Sequence, residues 1–157
     1  MTTTRRRRET RSVRFGQVTV GGKAPVSIQS MSTAPAGREA DAAAEIAALA
    51  RAGCQIVRVA VKAAAEIEPF RRICAESRIP VVADVHFDHR LAVAAAGAGA
   101  AGLRINPGNI GSWEGVAAVL DAASAAGIPV RVGVNAGSLE RDLRELAKSE
   151  PARAMVE

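Results

Sequence analysis

Leu103-Arg104-Ile105-Asn106-Pro107-Gly108-Asn109-Ile110-Gly111 decides the fold. Leu103 and Ile105 share one parity of a short strand and Arg104 and Asn106 the other, before a Pro-Gly-Asn turn breaks the run. The same arrangement recurs on both sides of it. Val26 and Ile28 alternate with Ser27 and Gln29; Val57, Val59 and Val61 with Ile56, Arg58 and Ala60; Val81, Ala83, Val85 and Phe87 with Val82, Asp84 and His86; Val130, Val132 and Val134 with Arg131, Gly133 and Asn135. These segments start near residues 26, 56, 81, 103 and 130, steps of 30, 25, 22 and 27. Helical segments are expected between them, at Asp41 to Ala52, Ala63 to Ser77, His89 to Ala96 and Trp113 to Ala126. Another is expected from Ser138 to Lys148, and Pro151 opens one more. Such spacing is that of βα units with right-handed crossovers, and so of a parallel sheet.

Strands covered on both faces normally read as continuous apolar runs. Here only one parity is apolar enough to lie under helices, so the other points into a barrel. Its polar members gather toward the C-terminal strand ends, where barrel active sites lie. A complete eight-unit barrel needs about 250 residues. The 157 residues hold five units and part of a sixth. The expected fold is therefore α/β, a partial TIM (β/α)8 barrel of about five βα units. A short β-hairpin precedes it, read from the alternation at Ser12 to Thr19 and from Gly21-Gly22. The chain reads either as an open parallel sheet or, the favoured reading, as the front portion of a barrel whose later units are missing.

Composition narrows the function. The net charge of +5 resides in residues 1–14, where Arg5, Arg6, Arg7, Arg8, Arg11 and Arg14 stand against Glu9; the remainder carries 15 basic and 15 acidic side chains. Residues 1–14 thus read as a basic flexible arm and 15–157 as the barrel portion. The arm is either a solvated tail or a phosphate-contacting segment, and no aromatics interleave with its arginines as single-strand nucleic-acid binding favours. No apolar stretch is long enough to span a bilayer and no apolar signal core follows the arginines, so a cytoplasmic location is expected. Cys54 and Cys74 lack a C-x-x-C spacing and read as buried thiols.

Arg58, Arg104 and Arg131 share the inward parity with Asp84 as the evident carboxylate. An internal ion-pair network with bound water is one account. An anionic ligand is the other, and three guanidiniums against one carboxylate favour it. Planar guanidinium forks suit phosphate oxygens, while Asn106, Asn135, Gln29 and Ser30 suit bridging oxygens or hydroxyls. His86, two residues after Asp84, reads as a donor to phosphate, an acid or base, or half of a metal site. No third ligand for a metal is evident. Gly108, Gly111 and Gly137 read as turn and cap residues. Asn109 and Ser138 are placed to offer backbone N–H groups to a phosphate.

Five stretches in this order resemble one family: Pro25 to Met31, Gly53 to Val61, Ala83 to Phe87, Leu103 to Gly111, and Arg131 to Leu139. The chain from about Thr10 onward resembles the N-terminal part of the 4-hydroxy-3-methylbut-2-enyl diphosphate synthases of non-mevalonate isoprenoid biosynthesis. The resemblance implies a TIM barrel that holds 2-C-methyl-D-erythritol 2,4-cyclodiphosphate and a separate domain with a [4Fe-4S] cluster. Reduced ferredoxin or flavodoxin supplies two electrons for ring opening and loss of water, in a homodimer. Carried onto this sequence, the substrate-binding positions are Arg58, Asp84, His86, Arg104, Asn106, Arg131 and Asn135. The chain departs from the family in three respects. Neither cysteine matches a cluster ligand, a carboxylate from a later strand is missing, and the loop Ser32-Thr33-Ala34-Pro35-Ala36-Gly37 has fewer hydroxyl and amide groups than the family's. The fragment is therefore expected to be inactive alone. The alternatives are another TIM-barrel enzyme acting on a phosphorylated or pterin substrate, and a non-catalytic truncated remnant.

Overall fold

A computed structural model describes residues 8–135, 138, 139, 141–154 and 156. Gly137 and residues 1–7 of the basic arm lie outside the described residues. The chain opens with an antiparallel hairpin of β1 (Ser12–Phe15) and β2 (Val18–Gly21), in which Phe15 pairs with Val18 and Val13 with Val20. Ser12, Val13 and Arg14, at the end of the expected arm, are thus part of a strand, and Thr10 is tied to the hairpin by accepting from the Gly22 N–H at 2.9 Å. Alternation of Val13 and Phe15 with Val18 and Val20 gives the ribbon one apolar side, and that side needs cover.

The body is a parallel sheet of β3 (Gln29–Met31), β4 (Ile56–Ala60), β5 (Val81–Asp84), β6 (Gly102–Ile105) and β7 (Val130–Val132), paired in sequence order. The connections are α1 (Glu39–Arg51), a 3-10 turn at Ala64–Glu66 leading into α2 (Ile67–Glu76), α3 (His89–Gly97), and α5 (Trp113–Ala126). Beyond β7 come α6 (Arg141–Ser149) and α7 (Pro151–Ala154). The Pro-Gly-Asn segment after β6, expected as a turn, closes one helical turn, α4 (Pro107–Ile110). Asn106 caps it by accepting from the Gly108 N–H at 3.2 Å, and proline at the first helical position loses no intrahelical donor.

Val57, Val59, Val61, Val81, Ala83, Val85, Leu103 and Ile105 form one core with Phe70, Ile73, Leu91, Val119 and the alanines of the helices. The opposite parity carries a second, smaller core in which Phe15 meets Ile56 and Val82, with Val18 and Val20 at its edge. The hairpin therefore covers the floor of the inward face. Gly102 is required there, because a Cβ on it would sit 2.5 Å from the Phe15 ring. α3 and α5 pack closely, with buried Gly115 lying against His89.

Candidate functional site

Parallel register places Ala60, Asp84, Arg104 and Arg131 side by side as one layer on the inward face. Arg58, Val82 and Gly102 form the layer below. Asp84, the last residue of β5, is 1% exposed and is the hub. Its Oδ1 accepts from Arg104 Nη1 at 3.1 Å, and its Oδ2 lies 3.4 Å from Arg58 Nε. His86, just past the strand, brings Nε2 to 3.6 Å from Oδ1. The Arg58 contact is at ion-pair distance without hydrogen-bond geometry, so its buried Nε–H has no hydrogen-bond partner. Met31 Sδ accepts from Arg58 Nη2 at 3.1 Å.

Arg131 does not join Asp84; its Nη1 donates to Gln29 Oε1, across the inward face from β7 to β3. Asn106 is 1% exposed, its Oδ1 spent on the α4 cap and its Nδ2 buried with no partner. Asn135 stands apart in a turn with Ser138. Its Oδ1 accepts from the Ser138 N–H at 3.1 Å, and its own N–H donates to Ser138 Oγ at 3.2 Å. The structure thus joins Arg58, Asp84, Arg104 and His86 in one group and holds Arg131 with Gln29. Asn106 lies at the end of β6, and Asn135 lies in the turn three residues beyond β7.

Sequence reading did not single out Gly133, which seats Arg104. A Cβ there would meet Nη2 at 2.6 Å, Nε at 2.7 Å and Cζ at 3.0 Å, so the guanidinium lies directly on the glycine. It also missed Glu45 on α1, whose carboxylate gathers the loop after Met31. The only signal for either was its parity or helix position.

Three guanidiniums face one carboxylate in this region. Such a group can bind a multiply charged oxyanion, with Arg58 Nε and Asn106 Nδ2 as donors in reserve. A cluster or metal is a different matter. Among the described residues no three His, Cys, Asp or Glu side chains are grouped to hold a metal ion. The Cys54 thiol donates to the Ile56 carbonyl at 3.0 Å, and burial pushes the Cys74 thiol up to about 12, away from the thiolate a cluster needs. The described residues do not fit an iron–sulfur centre. Among them, no helix is long and apolar enough to cross a membrane.

A parallel α/β sheet with a polar inward face at its C-terminal edge defines a TIM-barrel type of domain. The chain belongs to the GcpE TIM-barrel domain family, which matches residues 10–157. Curated relatives include the 4-hydroxy-3-methylbut-2-en-1-yl diphosphate synthase (flavodoxin) of Acidithiobacillus ferrooxidans, 45% identical over 97% of this chain and 42% of its own length. That of Pseudomonas syringae is 48% identical over 97% of this chain and 41% of its own length. The chain therefore spans about two fifths of the relatives it matches. Among solved structures, dihydropteroate synthase of Yersinia pestis aligns with a TM-score of 0.56 at 12% identity, over 92% of this chain and 57% of that one. The Xanthomonas albilineans enzyme gives 0.55 at 15% identity, over 92% and 60%. At that identity the likeness is one of fold.

Proposed function

We propose that residues 15–157 are the front part of the substrate barrel of a 4-hydroxy-3-methylbut-2-enyl diphosphate synthase. In this reading the whole protein converts 2-C-methyl-D-erythritol 2,4-cyclodiphosphate to 4-hydroxy-3-methylbut-2-enyl diphosphate by two-electron reductive ring opening and loss of water. The observation that carries it is the Asp84 hub, a buried carboxylate shared by Arg58 and Arg104 that leaves the region with excess positive charge. Relatives at 45–48% identity are named for the 4-hydroxy-3-methylbut-2-en-1-yl diphosphate product and for flavodoxin, which supports the reading.

The residues of this chain bind and orient. Asp84 holds Arg58 and Arg104 in place, and their remaining N–H groups take the diphosphate oxygens. Arg131, released from Gln29, and the Nδ2 of Asn106 add donors, with Asn135 at the rim. His86 donates to the diphosphate from the mouth of the site. Donors fixed before the substrate arrives favour the charge that develops on the departing ring oxygen. A [4Fe-4S] cluster supplies the electrons when bound, on residues outside this chain, with flavodoxin or ferredoxin as its donor and a homodimer as the assembly. By itself the chain binds without reducing.

Calorimetric titration of the chain with the cyclic diphosphate tests the reading. Binding is expected, and the double substitution Arg58→Ala, Arg104→Ala abolishes it. Retained binding in the double variant would refute the inward-arginine site.

A further inference from the structure

Ser32 and Thr33 follow Met31 at the C-terminal end of β3, on the rim of the barrel, where hydroxyl groups are natural ligands for a substrate. Their bonds go elsewhere. Ser32 Oγ donates to Glu45 Oε2 at 2.6 Å, the Thr33 N–H donates to the same oxygen at 2.7 Å, and Thr33 Oγ1 donates to Glu45 Oε1. The Ala34 N–H approaches Oε2 at 3.4 Å and Ser32 Oγ at 3.2 Å. One carboxylate on α1 therefore gathers three consecutive residues. Those donors hold the Glu45 carboxyl down at about 2, so it is an anion at every ordinary pH.

The gathered loop runs along β4. The Ser32 N–H donates to the Arg58 carbonyl at 2.9 Å and the Ala36 N–H to the Ala60 carbonyl at 3.0 Å, with Ser32, Ala34 and Ala36 buried. Met31, immediately before the gathered residues, is in register with Arg58. Among the described residues its sulfur is the one hydrogen-bond acceptor of the Arg58 side chain, whose other hold is the ion pair with Asp84.

We propose that Glu45 is a positioning residue for the anion site: by fixing the chain from Ser32 to Ala34 it sets Met31 against Arg58 and so aims the Arg58 guanidinium. The loop thus serves the site through Arg58, and its hydroxyls are not substrate ligands. The inference rests on the reading of the Asp84 group as the anion site.

The test uses the full chain and its Glu45→Ala, Glu45→Gln and Met31→Leu variants, with inorganic pyrophosphate as the probe. In Glu45→Ala the Thr33 and Ala34 amides exchange faster and the Arg58 Nε–H resonance shifts. Pyrophosphate binds roughly tenfold more weakly, the order of cost of immobilising one rotamer-rich side chain on binding. Glu45→Gln keeps an oxygen for the Thr33 N–H and restores most of the affinity. Met31→Leu shifts the Arg58 resonance while leaving the loop amides protected, which keeps the test decisive if Glu45→Ala fails to fold. An unmoved Arg58 resonance in either folded variant would overturn the proposal, as would full affinity in Glu45→Ala. If the unsubstituted chain does not bind pyrophosphate, the anion-site reading fails, while the Arg58 resonance still reports whether Glu45 aims that side chain.

Discussion

Arg104 can lie on Gly133, just past the end of β7, because the glycine carries no Cβ to meet the guanidinium. Gly133→Ala puts a methyl group 2.6 Å from Nη2, and the side chain must swing off its 3.1 Å bond to Asp84. The expected result is roughly tenfold weaker pyrophosphate binding with little change of stability, because the end of a flexible side chain moves aside rather than a packed core. Calorimetry and urea unfolding would measure both; affinity equal to that of the unsubstituted chain would show that Arg104 is not held by this seat. Parity alone made Arg58, Asp84 and Arg104 legible in the sequence, since polar residues at alternate positions of a buried strand have one place to go. Gly133 was not legible in the same way, because its role is defined by the reach of a side chain on the neighbouring strand. Nor does parity choose partners: Arg131 belongs to the same layer as Asp84 yet donates to Gln29 on the opposite side.

The hairpin is the element whose purpose the sequence left blank. Its alternation announced a ribbon, but the surface it covers is assembled from β4, β5 and β6 only when the sheet has curled. Phe15 is its anchor, packed on Ile56 and Val82 and against the bare Cα of Gly102. Phe15→Ala is expected to cost about 3–5 kcal/mol, the range for removing a buried aromatic and leaving a cavity. Chemical denaturation followed by far-ultraviolet circular dichroism would report it, and a loss below about 1 kcal/mol would mean that the floor is not part of the cooperative fold. Strand beginnings were legible except for the first, expected from near residue 26 but beginning at Gln29 with Val26 and Ile28 exposed before it, and strand ends were less so. β5 was expected to reach Phe87 but ends at Asp84, and β7 was expected to reach Asn135 but ends at Val132. Side-chain alternation continues past the point where ladder bonds stop, so it marks which face a residue occupies better than where pairing ends. The turn at Pro107 became α4 because Asn106 caps it, a local bond that periodicity does not register.

At the scale of the whole molecule, the contact between Arg131 and Gln29 measures the curl of the sheet. The first and fifth strands of an eight-stranded barrel stand opposite one another, and here their side chains meet across the inward face. Within the described residues β3 and β7 each have a single sheet neighbour, so two parallel edges stand open. The outward-parity residues beside them are uncovered: Val26 is 77% exposed, Ile28 58%, Val132 60% and Val134 40%, whereas their counterparts on β4, β5 and β6 are in the core. The number of βα units in the sequence made this half-turn of barrel foreseeable, since five units at about 45° each do not close a ring of eight. Open strand edges flanked by apolar side chains recruit other chains. Residues 1–157 alone are therefore expected to self-associate with rising concentration, giving a sedimentation coefficient that climbs from micromolar upward. The double substitution Val132→Lys, Val134→Lys charges the β7 edge and should return the chain to a monomer without loss of helix signal. A polypeptide of the relatives' length should sediment as one species of fixed mass over the same range if its further residues lie against both edges. A monomer at all concentrations would mean that the open edges recruit no other chain, and the exposure of Val132 and Val134 would then have no consequence in solution.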